Sequence, residues 1–343
     1  MSTAQATNAT KKPAKRLNFF TDLIKRLFKE KVMGVIGLVL VVLLFFVGIF
    51  APLLSPEKST TTTSAWNIAH QESRFLAPFT NSKFILGTDQ LGRDVFSRLI
   101  YGARLSMYVA VVATSMQIVL SLVIGVACAY FGGWFDLIIQ RFVDAWICFP
   151  YLVILITIMS IVGPGVVQIV VVLGVSSGIG GSRFMRSLVF GIRENQYIYA
   201  SQAVGARSGH IMWRHILPNI MPVVIIIFSG SMGGMILAEA SLSFLGLGIP
   251  APFPSWGGMI NDGRTYMLLA PGLIFWPGVA LTLVVFGINM FGDALRDLLD
   301  PRLRGGLGSY RLDKGEAIAK KLRAQLEAAK PRLEQDIAGL NKK

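Results

Sequence analysis

The chain has 343 residues, 53% of them hydrophobic and only 15% charged, with a mean hydropathy of +0.58. Soluble domains carry about 25% charge, and the apolar residues here lie in long uninterrupted runs, which excludes a single soluble domain and indicates a polytopic membrane protein. A net charge of +14 would suit nucleic acid, but the basic residues gather in the two tails and one loop, so membrane orientation explains them and no nucleic-acid partner is expected.

Residues 1–31 are polar and basic and read as a cytoplasmic tail. Residues 32–54 then run 23 positions without a charge, longer than the ~7–15-residue apolar stretch of a signal peptide, which predicts an uncleaved first span. Residues 55–104, rich in Ser, Thr and Pro, are expected as an extracytoplasmic loop. The uncharged stretch 105–135 gives a second span, ending near Gly132-Gly133. Residues 145–182 are 38 uncharged positions, too many for one ordinary span, and Gly163-Pro164-Gly165 divides them into a third and a fourth. Arg141 and Asp144 flank the start of the third, where Phe149-Pro150 suits a kink, and Cys128 and Cys148 read as inert thiols. Residues 219–238 supply a fifth span, and 265–292 contain a sixth. Placing the N-terminus in the cytoplasm puts 26 of the 33 Lys and Arg on that side and 7 on the other. The expected architecture is all-α, with six spans, both termini cytoplasmic, a five-span core at 105–295 and a tail at 296–343.

The loop after the fourth span, 193–218, keeps a helical apolar pattern despite its arginines. Tyr197, Ala200, Ser201 and Val204 fall on one face of a short helix, Gly205 permits a turn, and Ser208 can cap a second short helix that stops before Pro218. His70, His210 and His215 are too scattered for a metal site. No phosphate-binding Gly-x-x-x-x-Gly-Lys-Ser/Thr run is present, so ATP hydrolysis is not expected in this chain.

Tyr199-Ala200-Ser201, then Gly205, then His215-Ile216-Leu217-Pro218 resembles the EAA loop of bacterial ABC importer permeases. Tyr199 stands for the usual Glu, Ser201 for the second Ala and His215 for Ile. Further stretches are similar to the dipeptide/oligopeptide (DppC/OppC-like) permeases in matching order: Leu-Gly-Thr-Asp-Gln-Leu-Gly-Arg-Asp at 86–94, Arg-Leu-Ile-Tyr-Gly-Ala-Arg at 98–104, Glu-Ala-Ser-Leu-Ser-Phe-Leu-Gly-Leu-Gly at 239–248, Pro-Ser-Trp-Gly-Gly at 254–258 and Gly-Asp-Ala-Leu-Arg-Asp-Leu-Leu-Asp-Pro at 292–301. The resemblance covers about residues 32–304. It implies a type I importer fold and a second homologous permease subunit, with two cytoplasmic ATPases that bind ATP and Mg while this chain binds no cofactor directly. It also implies an extracytoplasmic substrate-binding protein and an ATPase-coupling role for Tyr197, Tyr199, Ala200, Ser201, Gly205, Ser208, His215, Leu217 and Pro218. By composition alone a secondary transporter or channel fits equally well.

Glu239, the one acid in the fifth span, is a candidate for hydrogen bonding at the permease–permease interface or for contact with a substrate amine. Gly233 and Gly234 allow close helix contact or a gate. Trp256 is expected on the extracytoplasmic rim or as an interfacial anchor. In the tail, Ile318, Leu322, Leu326, Ala329, Leu333, Ile337 and Leu340 form an apolar stripe, predicting an amphipathic helix over about 314–330 with Pro331 as its breaker.

Overall fold

The computed structural model describes residues 19–60 and 63–299, with side chains from residue 24 onward. The N-terminal tail to residue 18 and the tail helix expected at 314–330 lie outside the described residues. Residues Met1–Arg296 form one compact unit and Asp297–Lys343 a second, of which only 297–299 are described. Among the described residues there are helices, short turns and three isolated β-bridges, with no strand.

The helices are α1 (Phe19–Glu30), α2 (Val32–Ile49), α3 (Ala51–Leu54), α4 (Val95–Phe131), α5 (Gly133–Ile147), α6 (Tyr151–Val162), α7 (Val166–Arg193), α8 (Gln196–Ala203), α9 (Ser208–Ile211), α10 (Leu217–Phe244), α11 (Trp256–Arg264) and α12 (Gly272–Leu299). A π turn, Met212–Ile216, joins α9 to α10. Among the described residues five helical runs are long and apolar enough to cross a bilayer: α2, α4, α7, Ser208–Phe244 and α12. The pair α5–α6, bent by 91°, makes six if counted as one crossing.

Three expected boundaries need correction. The second span begins at Val95, not residue 105, because Asp94 caps α4 by accepting the Phe96 and Ser97 N–H groups. At 37 residues α4 is about 55 Å long, against a hydrocarbon core of about 30 Å, so its charged first turns can stand clear of lipid. The third crossing does not begin at residue 145. Helix α6 alone has 12 residues, about 18 Å, too short to cross, and α5 before it carries the charges that had argued for a loop. Those charges are partnered: Asp136 takes Arg186 (Nε to Oδ1 2.6 Å), while Asp144 takes Arg183 at 3.3 Å and Arg141 at 3.5 Å. The kink expected at Phe149-Pro150 is the 91° bend between them. The fifth span is longer than 219–238, running unbroken through Ser208–Phe244.

The most extensive helix pair is α4 with α7. Small residues bring the two backbones together, since helix association in lipid depends on packing rather than on water exclusion. A Cβ at Gly125 would lie 2.7 Å from the Ser182 carbonyl oxygen and 2.8 Å from the Arg186 nitrogen. Gly174 and Gly178 receive Met116 and Leu120 in the same way, and Ser121 Oγ donates to the Gly178 carbonyl at 2.8 Å. Helix α2 is seated on α12 by the same device: a Cβ at Gly37 would come 2.6 Å from the Gly287 oxygen.

A buried charge cluster closes the end of the bundle where α4 begins. Asp89, Arg93, Asp94 and Arg98 are all buried. Asp89 Oδ2 accepts Arg93 Nε at 2.7 Å and lies 3.7 Å from Arg98 Nε, while its Oδ1 accepts the Leu91 and Arg93 N–H groups, both at 2.9 Å. Burial pushes the Asp94 carboxyl above the usual carboxylate range, opposed by its hydrogen bonds from Ser97 and Phe96. Gly87 and Gly92 shape this segment at φ +81° and +74°, each with a carbonyl, of Leu76 and His70 respectively, where a Cβ would stand. Trp256 is neither a rim residue nor an interfacial anchor: it is 2% exposed, packed on Gly102, and its Nε1 donates to the Leu99 carbonyl at 3.1 Å.

Three substitutions test this packing. Asp89→Asn leaves two buried guanidinium groups without their carboxylate and should cost about 3–5 kcal/mol, read as a lowered thermal midpoint of the detergent-purified protein. Gly125→Leu forces α4 from α7 against backbone atoms and should cost about 1–3 kcal/mol or more. Gly191→Ala, which meets open space on α7, should leave the midpoint unchanged or raised.

Candidate functional site

At the opposite end of the bundle, α7 turns into α8 at Asn195, whose Nδ2 donates to the Ile192 carbonyl at 3.0 Å and so ties off the end of α7. One residue anchors α8. Ile198 is fully buried in a cluster with Ile118, Met185, Val189, Ile211, Ile216 and Ile220, drawn from α4, α7, α9, the π turn and α10. The face that carries Tyr197, Ala200, Ser201 and Val204 points outward: Val204 is 84% exposed, Tyr197 and Ala200 are exposed and Ser201 is half-buried. Tyr199 is also exposed, and Trp213 on the π turn, which sequence reasoning missed, is 76% exposed. The result is an aromatic and aliphatic patch on a rigid mount.

Gly205 ends α8 as expected, at φ +80° with open space around it. Its N–H bonds to the Gln202 carbonyl and that of Ala206 to Ser201, the paired bonds of a Schellman cap. Ser208 does not cap the next helix. Arg207 holds the cap position with no side-chain bond, and Ser208 is the first helical residue, exposed. Nor does that helix stop before Pro218. The π turn Met212–Ile216 leads straight into α10, with Leu217 and Pro218 in its first turn, where a missing N–H is tolerated. Asn219, also missed, secures the junction: its Nδ2 donates to the His215 carbonyl at 2.6 Å and lies 3.3 Å from the Tyr197 hydroxyl, linking α8 to α10. A Pro-Asn pair at a helix start was the available signal, since Pro disturbs the local bonding and Asn can supply a donor. His215, half-buried, has its ring centroid 6.3 Å from that of Tyr197 and 5.9 Å from that of His210.

The α10 candidates lie far along the chain from this patch and are separate from it. Glu239 is 1% exposed, inside the chain rather than on a face open to a partner or solute, and accepts Ser243 Oγ at 2.7 Å. Ser243 Oγ in turn accepts the Ile249 N–H at 3.1 Å, and the neighbouring Gly248 carbonyl accepts the Gly165 N–H at 3.0 Å, which joins the α6–α7 turn to the segment after α10. Gly233 is buried against Asn289 of α12, whereas Gly234 faces open space. The structure therefore brings the α8–α10 residues together and leaves Glu239 and Gly233 as separate packing positions, with Gly234 unpacked. The patch offers no nucleophile paired with a base; its chemistry is that of a contact surface fixed to three long helices.

Comparison with known proteins accords with this geometry. Residues 121–305 match the family described as the binding-protein-dependent transport system inner membrane component, and residues 18–79 match the N-terminal transmembrane domain of oligopeptide transport permease C. The chain is 36% identical to the dipeptide transport system permease protein DppC of Alkalihalophilus pseudofirmus over 283 residues, 82% of this chain and 90% of that protein. It is 33% identical to the oligopeptide transport system permease protein OppC of Bacillus subtilis over 301 residues, 88% and 95% of the two chains. With the glutathione transport system permease protein GsiD of Escherichia coli it shares 32% identity over 280 residues, 82% and 90% of the two chains. A helical multi-pass chain with these matches belongs to the inner membrane permease family of binding-protein-dependent transport systems.

Proposed function

We propose that this chain is one of two homologous permease subunits of an ATP-driven importer for dipeptides or short oligopeptides. The observation that carries the reading is the exposed patch of Tyr197, Tyr199, Val204 and Trp213 on a mount packed into α4, α7 and α10. Force applied there reaches the spans without an intervening flexible joint, because Ile198 and Asn219 fasten α8 to the helices behind it. Two ATPase subunits seat against this patch and bind ATP and Mg; this chain holds neither and catalyses no reaction. The basic bias supports an orientation with the patch and both termini in the cytoplasm and the Asp89 end on the extracytoplasmic side, where a substrate-binding protein delivers its load. The relatives are named for dipeptide, oligopeptide and glutathione transport, which have the peptide bond in common, and this supports a peptide as cargo.

The reading makes two predictions. In proteoliposomes containing the whole complex and its binding protein, uptake of a labelled dipeptide should require ATP and proceed against a gradient; ATP-independent equilibration would mark a channel or secondary carrier instead. Trp213→Ala should weaken ATPase co-purification roughly tenfold or more, the scale of an aromatic hot spot. Its thermal midpoint should stay at the wild-type value, because Trp213 is 76% exposed and contributes little to the core.

A further inference from the structure

Helix α1 has a use that permease activity does not explain. Its sequence places Ile24, Leu27 and Phe28 on one half of the helix and Lys25, Arg26 and Lys29 on the other. Only Leu27 of the described apolar side chains is used within the chain: it is buried, lying against Gly34 of α2, whereas Ile24 is 52% and Phe28 60% exposed. Helix α1 is not a straight extension of the span, because Lys31 between α1 and α2 leaves helical geometry at φ −134°, ψ 74°.

The exposed pair continues into the apolar skin of α2, where Val32, Met33, Ile36 and Val39 are also exposed. Lys25 and Lys29 lie exposed beside this skin, and residues 1–31 carry eight Lys and Arg against two acids. An apolar face continuous with a membrane span and edged by cations has the chemistry of a helix lying in the bilayer surface. Cation clusters beside a span also favour anionic headgroups over zwitterionic ones. A water-facing helix would leave Ile24 and Phe28 uncovered, and a protein partner would have to cover a surface that the adjoining span already presents to lipid.

We infer that α1 lies in the plane of the membrane surface, with Ile24 and Phe28 among the acyl chains and Lys25 and Lys29 holding anionic phospholipid headgroups. The contact adds a lipid-selective anchor beside the first span and is independent of which solute is carried.

The test uses the assembled complex in nanodiscs, with Cys128 and Cys148 replaced and a nitroxide label at Ile24→Cys or Phe28→Cys; Glu30→Cys, exposed and about 140° around the helix from the midpoint of positions 24 and 28, serves as reference. In discs containing phosphatidylglycerol, the labels at 24 and 28 should be open to oxygen and shielded from aqueous nickel, about 5–10 Å below the headgroups. The label at 30 should be open to nickel. Replacing phosphatidylglycerol by phosphatidylcholine should make the 24 and 28 labels shallower, and Lys25→Gln/Lys29→Gln should abolish that lipid-dependent difference. Nickel access at 24 and 28 in both lipids would show a helix in water, and shielding from both oxygen and nickel would show a protein cover; either overturns the inference. An undiminished phosphatidylglycerol effect in the double variant would also overturn it, because the lysines would then serve orientation alone.

Discussion

Everything else in this fold is arranged around the approach of α4 to α7. Lipid tails are as apolar as leucine side chains, so two spans gain little from hiding apolar surface from each other and must gain from contact itself. Gly125, Gly174 and Gly178 remove the side chains that would hold the backbones apart, and Ser121 adds a hydrogen bond to the Gly178 carbonyl where the gap is narrow. With that pair fixed, Arg186 on α7 is positioned to neutralise Asp136 on α5. Ile198 can then enter the cluster that α4, α7 and α10 share.

The two ends of the bundle are finished by different physics. Where α4 begins, buried charges satisfy one another and the backbone of the 86–94 segment, so that the segment leading into the span is held by directional bonds. Where α8 sits, the fastening is mainly apolar, through Ile198, with Asn219 and the Gly205 cap as local fixtures. Bonds of the first kind hold one geometry, because breaking them strands a charge. Apolar packing of the second kind is non-directional and tolerates small shifts of the element it holds.

Much of this was legible from residue order. Long uncharged runs marked five of the spans, Gly163-Pro164-Gly165 marked the α6–α7 turn, and Gly205 marked the end of α8. The failures share a cause: charge was taken as evidence of water. Arg98 and Arg104 belong to a helix that outreaches the bilayer, and Asp136 and Asp144 belong to α5 because arginines about 40–50 positions away neutralise them. A pairing across that distance leaves no local trace in sequence. The side of α8 that packs on the bundle, through Ile198, was not read from sequence for a related reason. Tyr197, Ala200, Ser201 and Val204 do share one face, but periodicity tells which residues lie together and not whether protein or solvent meets them. The same limit applied to Trp256, whose burial depends on Gly102 from a distant helix.

The π turn at Met212–Ile216 also sets angular phase. A turn closed by bonds to the fifth residue holds one residue more than an α-turn, so every position beyond it is rotated by about 100° relative to a continuous α-helix. Gly233 and Gly234 show what that rotation decides, since one lies against Asn289 and its neighbour faces open space. Glu239, six residues further on, is inward by the same setting and meets Ser243. Removing a single residue within 212–216 would turn the whole of α10 about its axis, presenting Gly234 to α12 and swinging Glu239, with its partner Ser243 on the same helix, out of the interior. The helix that leaves the contact patch is thus indexed, like a key cut to one angular position, before it enters the membrane.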